Sequence, residues 1–597
     1  MLVHILMDFK KLYKELVRRN VFRAIVAYLA VSWVIIEAAS TLLPTFGAPE
    51  FLLKGLIYLL GIGLIFWTGF SWIYDLTPEG LQKTSNETVS AENRQFDNRR
   101  LNAVIVGSGL AALLVLLAGS FWAGSRWSST DKPQHYRIAV LPFEDRSDNA
   151  EFGYLTEGLA EDVISELANS KRLSVISSKS SFQYKDTDKS IEKISKELDA
   201  DVVLVGNYAI TNEEIDVKVE VIGARDNEIL NYAAITGNLS HISDISAHIG
   251  VNIYGALEIP ESNAPKTIGT EAKYVNAEAF KFNALGKSAM RDHTGQELEE
   301  ITRYFKAAIE VDSTYADPYI GMAEALIFDV NRGYISSAEA SGRIKEYALK
   351  AEMLNPGSGQ VSCIMGIIHS FDYDYKGAVP YFEIALEKSP NYTLTYQWYA
   401  FALEILGDFE KAVELQKKAS ILDPLDNFNE VYLALNYIFQ GKLDLAQQLV
   451  DNKLALNPDH GETLWLKAVL LSEKGMYEEA YDLLVKRELG LESGFISGYV
   501  FARLGQEERA KRVLDNMLSR SYVPPSQIAI LLCGLGEYEA ALNKVEEAFL
   551  LHDQWIGWVL FSSMTDPIKT DPRFRSLLQQ MNNIKQNTRD GSGPVPI

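Results

Sequence analysis

At 597 residues the chain is too long for one hydrophobic core and must divide into several folding units. Its formal net charge of −22 excludes a surface built to hold nucleic acid, whose phosphates it would repel. The two cysteines, Cys363 and Cys533, lie far apart among apolar neighbours and read as small core residues, not as a disulfide.

Three apolar stretches open the chain. Ala24 to Leu43 is interrupted by Glu37, Phe51 to Tyr74 carries Lys54 near its start, and Leu101 to Gly124 holds no charge. The last two are long enough for the ~30 Å of a bilayer core, and the short link Pro44 to Pro49 makes the first two a helical hairpin. Lys10, Lys11, Lys14, Arg18, Arg19 and Arg23 precede the first stretch, and Arg94, Arg99 and Arg100 the third. The positive-inside rule then puts both basic segments in the cytoplasm and everything after Arg126 in a bacterial periplasm. The expected order is a basic cytoplasmic N-terminus (1–23), a transmembrane hairpin (24–74), a cytoplasmic loop (75–100), a third transmembrane helix (101–124) and a linker (125–135). This reading seats the protein in a bacterial inner membrane with the lipid bilayer among its partners. If the first stretch only lies on the surface, the placement reverses.

From Tyr136 the pattern alternates between strands and helices. Arg137 to Phe143 is a short apolar run ended by Pro142 and Phe143; Leu155, Leu159, Val163, Ile164 and Leu167 recur at helical spacing. Leu173 to Ser177 reads as a strand, Ile191 to Leu198 as a helix and Ala200 to Ile210 as a strand. Ile215 to Val221 alternates strictly, the mark of a strand with one wet face, and Ile229 to Thr236 completes a β-α-β-α-β-β-β layer over 136–257. Three blocks carry a resemblance here: Ile138 to Phe143, Phe152 to Asp162 and Leu198 to Gly206. Over residues 135–237 they resemble the TolB N-terminal-type (FlgO-like) domain, which implies an envelope protein that joins this domain to helical repeats. Arg18-Arg-Asn-Val-Phe22 and Leu76-Thr-Pro-Glu-Gly-Leu81 are similar to the membrane hairpin of the same architectures. Relatives often carry a cyclase or winged-helix domain before the membrane; residues 1–23 are too few for either, so neither is expected here. The Trp that usually follows the last strand is replaced by Leu230-Asn-Tyr-Ala-Ala.

The second half keeps a strict beat. Pro356, Pro390, Pro424 and Pro458 recur every 34 residues, as do Ala378, Ala412, Ala446 and Ala480, and Gly407, Gly441 and Gly475. That period identifies tetratricopeptide repeats (TPR), helix pairs that stack into a solenoid. Frames begin at 359, 393, 427 and 461; less regular units precede them and shortened ones follow, giving a solenoid over 271–570, a capping helix at 571–586 and a disordered tail at 587–597. In this family the first helix of each pair lines a concave groove. The groove positions give Leu394, Gln397 and Phe401, then Phe428, Val431, Leu435, Ile438 and Phe439, then Trp465 and Val469. The groove is apolar and aromatic and lacks the Lys and Asn pattern of carboxylate clamps. Two readings stand side by side: a surface for a hydrophobic peptide or helix, and a tight superhelix that already buries these side chains.

No catalytic or metal motif survives. Asp372-x-Asp374-x-Lys376, with Glu383, imitates a calcium loop but puts a cation at the fifth position. The eight histidines have no ligand spacing. The expectation is a multi-domain chain of transmembrane helices, a small TolB-N-like α/β domain and an all-α TPR solenoid, without enzyme activity, cofactor, metal or nucleic acid. Its protein or peptide partners would use the groove and the α/β domain. Its role would be an envelope-assembly scaffold; the competing role is a relay of periplasmic binding to a cytoplasmic output protein.

Overall fold

The computed structural model describes residues 21–45, 50–77, 80–83, 135–148, 150–212, 214–260, 275–292, 298–487 and 494–587. They belong to two compact units, Met1–Gln134 and His135–Ile597.

The first unit holds helices α1 (Val21–Thr45) and α2 (Glu50–Ile73) and a hairpin of β1 (Tyr74–Thr77) and β2 (Gly80–Lys83). The helices pack on each other through Tyr28, whose hydroxyl donates to the Leu60 carbonyl at 3.0 Å and whose ring stacks on Trp67. Val26, Trp33, Val34 and Tyr58 are exposed on the pair. The expected transmembrane helices, and the inner-membrane seat with a periplasmic bulk, are overturned: among the described residues no helix is long and apolar enough to cross a membrane. Arg23 and Glu37 fall inside α1 and Glu50 and Lys54 inside α2, and charges are costly at bilayer depth. The expected third span (101–124), the linker before it reaches His135, and most of the cytoplasmic N-terminus, loop and C-terminal tail lie outside the described residues.

The second unit begins with a mixed sheet. Its strands are β3 (Tyr136–Val140), β4 (Glu144–Asp145), β5 (Leu173–Val175), β6 (Val202–Thr211), β7 (Glu214–Gly223) and β8 (Ile229–Asn238), in the order β5-β3-β6-β7-β8 with β4 beside β6. β3 runs parallel to β5 and β6, while β6, β7 and β8 form an antiparallel meander. Helices α3 (Leu155–Leu167), α4 (Ser178–Ser181), α5 (Ile191–Leu198) and α6 (Ile242–Ala256) complete the layer. Alternation decides which side of each strand is dry. Val217, Val219 and Val221 of β7 meet Leu159 and Val163 of α3 and Ile245, Ile249 and Ile253 of α6 in one core. Ala139 and Val203 face the other way onto Ile194 and Leu198 of α5. Helix α6 was not among the expected elements, although Ile242, Ile245, Ile249 and Ile253 carry its helical period.

The solenoid follows as α7 (Ala277–Asp292), α8 (Leu298–Val311), α9 (Asp317–Arg332), α10 (Ser337–Leu354), α11 (Gly359–Phe371), α12 (Tyr375–Lys388), α13 (Thr393–Leu406), α14 (Phe409–Leu422), α15 (Asn427–Phe439), α16 (Leu443–Leu456), α17 (Gly461–Glu473) and α18 (Tyr477–Arg487). It ends with α19 (Phe495–Arg503), α20 (Glu507–Leu518), α21 (Pro525–Leu535), α22 (Tyr538–Leu550), α23 (Ile556–Phe561), α24 (Asp566–Lys569) and α25 (Pro572–Asn587). The 34-residue beat is a set of packing constraints. Ala378, Ala412, Ala446 and Ala480 are fully buried where paired helices approach most closely. Gly407, Gly441 and Gly475 close the first helices with positive φ, and Asp374 and Asp408 then cap the second helices through the Gly377 and Lys411 amides. A Cβ on Gly475 would meet nothing within 4 Å, so Gly475→Ala carries only the cost of its φ of 73°. The variant is expected to lose about 1 kcal/mol in a urea titration, and an unchanged midpoint would refute the cap.

The α/β layer is docked on the solenoid by polar contacts to its otherwise open edge. Asn391 donates from Nδ2 to the carbonyls of Ala168 (3.2 Å) and Ser170 (2.9 Å) and accepts the Val175 amide of β5 at 3.1 Å. The Ser177 amide donates to the Leu422 carbonyl, Lys179 pairs with Asp426 at 2.8 Å, and Ser180 bonds Asp423. On the far side of α3, Arg291 of α7 pairs with Glu157 and Glu161, and Lys287 with Asp317.

Candidate functional site

The concave face is built by the first helices α11, α13, α15, α17 and α19, and the chain occupies part of it with its own C-terminal segment. Beyond α22, Leu551 to Phe561 turns back across the groove. Trp558 lies 5.3 Å from Phe439, 5.9 Å from Trp465 and 5.5 Å from Phe495, centroid to centroid, mostly edge to face. Trp555 stacks on Trp558, and Phe561 meets Phe409 and Phe439. Polar bonds fix the segment at both ends. Tyr373 donates to the Asp553 carbonyl at 3.0 Å; Asp553 accepts the amides of Ser526 and Trp555 at 2.9 Å each. At the other end Glu473 accepts from the Ser562 hydroxyl and from the Ser563 amide and hydroxyl.

Between this segment and the groove wall a cavity remains, open to solvent. Trp398, Phe401, Phe428 and Phe439 form one wall and Trp555 and Trp558 another. Its polar groups are Asn331, Gln397, Glu404, Tyr432 and Gln554. Glu404 is 5% exposed and accepts from Asn436 Nδ2 at 3.2 Å. Burial alone pushes its carboxyl up to about 8, since no neighbouring charge offsets the loss of water. Gln554 donates to the His552 carbonyl at 2.8 Å, while its buried Oε1 has no hydrogen-bond partner. The Tyr432 phenol is pushed up by burial and then by the Glu404 charge.

The Glu404 carboxyl makes a testable link to stability. Its folded value near 8 lies above the ordinary 4.5, so the fold favours the neutral acid. That contribution is complete below pH 4.5 and is lost as pH rises from 4.5 through 8. Glu404→Gln keeps the shape and removes the titration. It is expected to match the native chain at low pH and to exceed it in denaturant midpoint above pH 8; a constant difference across this range would contradict the assignment.

The ten groove residues expected from the sequence divide between wall and core. Gln397, Phe401, Phe428, Leu435 and Phe439 line the cavity. Trp465 faces Trp558. Val431, Ile438 and Val469 are buried in the solenoid core, and Leu394 packs half-buried against it. The residues missed were Trp398, Glu404, Tyr432, Gln554, Trp555 and Trp558. Glu404 had a signal: it occupies the twelfth place of the frame beginning at Thr393, as Ile438 does in the next repeat. Trp555 and Trp558 had none at the repeat period, because they lie past the last complete helix pair. Asp374, read above as part of a false calcium loop, caps α12 and bonds His369 Nδ1 at 2.9 Å. Among the described residues no group of three or more His, Cys, Asp or Glu could hold a metal ion.

A second, smaller recess of about 300 Å³ lies between α3 and α7, lined by Glu157, Glu161, Asp162, Lys287, Arg291 and Tyr315. Arg291 pairs with Glu157 and Glu161 across the two helices, Lys287 pairs with Asp317 of α9, and burial pushes the Asp162 carboxyl up to about 6.

Known proteins resemble parts of this chain. Residues 134–249 match the family model described as HilA/YgeH-like transcriptional regulator, second domain. That stretch is the α/β layer, less than half of the chain; the matched model is not the TolB-type domain expected from the three sequence blocks. A putative adenylate cyclase 3 of Rhizobium meliloti is 25% identical over 197 residues, 33% of this chain and 34% of the relative. The transcriptional regulator HilA of Salmonella typhimurium is 24% identical over 202 residues, 33% of this chain and 36% of the relative. The alignments thus span about a third of the curated relatives, and neither named activity follows from them. Among solved structures, the TPR protein YrrB is 20% identical, covering 32% of this chain and 91% of its own, with a TM-score of 0.22. Yeast Tom70 is 19% identical, covering 56% and 72%, with a TM-score of 0.32.

Proposed function

We propose that this chain is a non-enzymatic protein-interaction scaffold whose concave TPR face holds a partner polypeptide, with the α/β domain fixed to the solenoid as a second contact surface. The observation that supports this reading is the solvent-open recess on the concave face, walled by aromatic rings with a few convergent polar groups. Gln397, Phe401, Phe428, Leu435 and Phe439 contact the partner; Leu394, Val431, Ile438 and Val469 support them from the packed sides of the same first helices, and Trp465 does so through Trp558. Envelope assembly and a relay across a membrane both needed membrane-crossing helices, and neither is proposed.

A photoreactive benzoylphenylalanine in place of Phe428, compared with one in place of the exposed Lys417, tests the scaffold. Discrete partner adducts from position 428 and none from 417 are expected. The same adducts from both positions would refute recognition by the concave face.

A further inference from the structure

The cavity walls bear on what enters them. Its lining contains no Lys, Arg or His, so nothing there neutralises an anion. Arg332, at the end of α9, lies over the Phe328 ring at 4.9 Å, and its charge reaches the Tyr432 phenol at the cavity wall. Six indole and phenyl rings line the space, from Trp398, Phe401, Phe428, Phe439, Trp555 and Trp558. Ring faces attract cations, and most strongly in sites shielded from water. Two buried acceptors complete the set: the Glu404 carboxyl, with no charged neighbour to offset its burial, and Gln554 Oε1, with no donor. A buried carboxyl of this kind is costly to ionise unless a cation joins it. A quaternary ammonium would satisfy the rings but could donate to neither acceptor; a primary ammonium does both.

We propose that the cavity binds a primary alkylammonium group, with its stem against the aromatic walls and its N–H donors on Glu404 and Gln554. This rests on the concave face being the binding face, and it names the chemistry recognised there. The group can arrive as a lysine side chain of a partner polypeptide or as a free alkylamine. Either way Glu404 must ionise when the cation enters. Facing it are the Asn436 amide and Tyr432 phenol of α15, with Asn331 at the end of α9 and no titratable group on the Gln554–Trp558 segment. Below pH 8 binding therefore releases a proton, and affinity climbs about tenfold per pH unit until the carboxyl is ionised.

The test is calorimetry on the intact chain with n-butylammonium, with 1-pentanol as a neutral comparison one methylene longer, in two pH 7 buffers of different ionisation enthalpy. Saturable butylammonium binding with proton release is expected, with pentanol at least about tenfold weaker. Glu404→Gln should weaken butylammonium about tenfold or more, abolish the proton release and leave pentanol unchanged. Phe428→Leu, which keeps the carboxyl, should weaken the amine and retain the proton release. Equal affinity for pentanol, or undiminished amine binding by a folded Glu404→Gln chain, would overturn the proposal, as would no saturable binding. A blocked Gly-Gly-Lys-Gly-Gly peptide separates the sources: tighter binding than butylammonium marks a polypeptide lysine, weaker binding a free amine. Photo-adducts at position 428 without amine binding would remove the ammonium chemistry and leave the scaffold reading in place.

Discussion

Trp558→Ala is expected to destabilise the His135–Ile597 unit by about 3–5 kcal/mol, the range for emptying a large aromatic site. Trp558 is 6% exposed and touches rings contributed by three first helices, Phe439 of α15, Trp465 of α17 and Phe495 of α19, and by Trp555. Each neighbour is already held against another ring, Phe439 by Phe561, Trp465 by Phe495 and Trp555 by Phe495, which limits collapse into the void. The loss should be largest in denaturant midpoint, with faster hydrogen exchange confined to residues 553–565 and the three helices they cover. A change below about 1 kcal/mol would show that the segment rests on the groove without supporting it.

Asn391→Ala comes second. The asparagine side chain satisfies two carbonyls and one amide at the edge of the sheet, and it is 9% exposed, so little water can take its place. The Ala168 carbonyl keeps the main-chain amide of residue 391, but leaving the buried Ser170 carbonyl and Val175 amide without partners is expected to cost about 3 kcal/mol. The effect should be more than a lower midpoint. In the native chain the α/β layer and solenoid form one compact unit and should melt in one calorimetric transition. The variant should show two transitions, the sheet first. One sharp transition at an unchanged temperature would refute the role given to Asn391.

The repeats were legible because their constraints are local. Gly407 must reverse the chain and Ala412 must let two helices touch, and both requirements recur at a fixed spacing whatever lies elsewhere in the fold. Most strands of the α/β layer were legible for the same reason, through patterns such as the alternation of Ile215 to Val221, but their order in the sheet was not. Helix α6 carries a clear period in its isoleucines, but it follows the last strand, where the strand-helix alternation no longer demands a helix. The site was only half legible. Phe401 and Phe428 could be placed from the frame, but what faces them is tertiary: Trp555 and Trp558 return from more than a hundred residues downstream, and no local pattern marks that return. Glu404 was passed over as a polar residue in an apolar series, and burial is what makes it unusual. At the other end, apolarity was visible in α1 and α2, but apolar composition over 25 and 24 residues did not make either a membrane-crossing helix.

The central claim is that Leu551 to Phe561 occupies the concave face of its own solenoid and frames the cavity there. A photoreactive residue at position 439, irradiated in the purified monomer and mapped by peptide mass spectrometry, tests this most directly. The account predicts intramolecular adducts on the stretch from Trp555 to Phe561, in keeping with Phe439 lying 5.3 Å from Trp558 and 5.9 Å from Phe561. Adducts confined to neighbouring repeat helices, with none on that stretch, would contradict it.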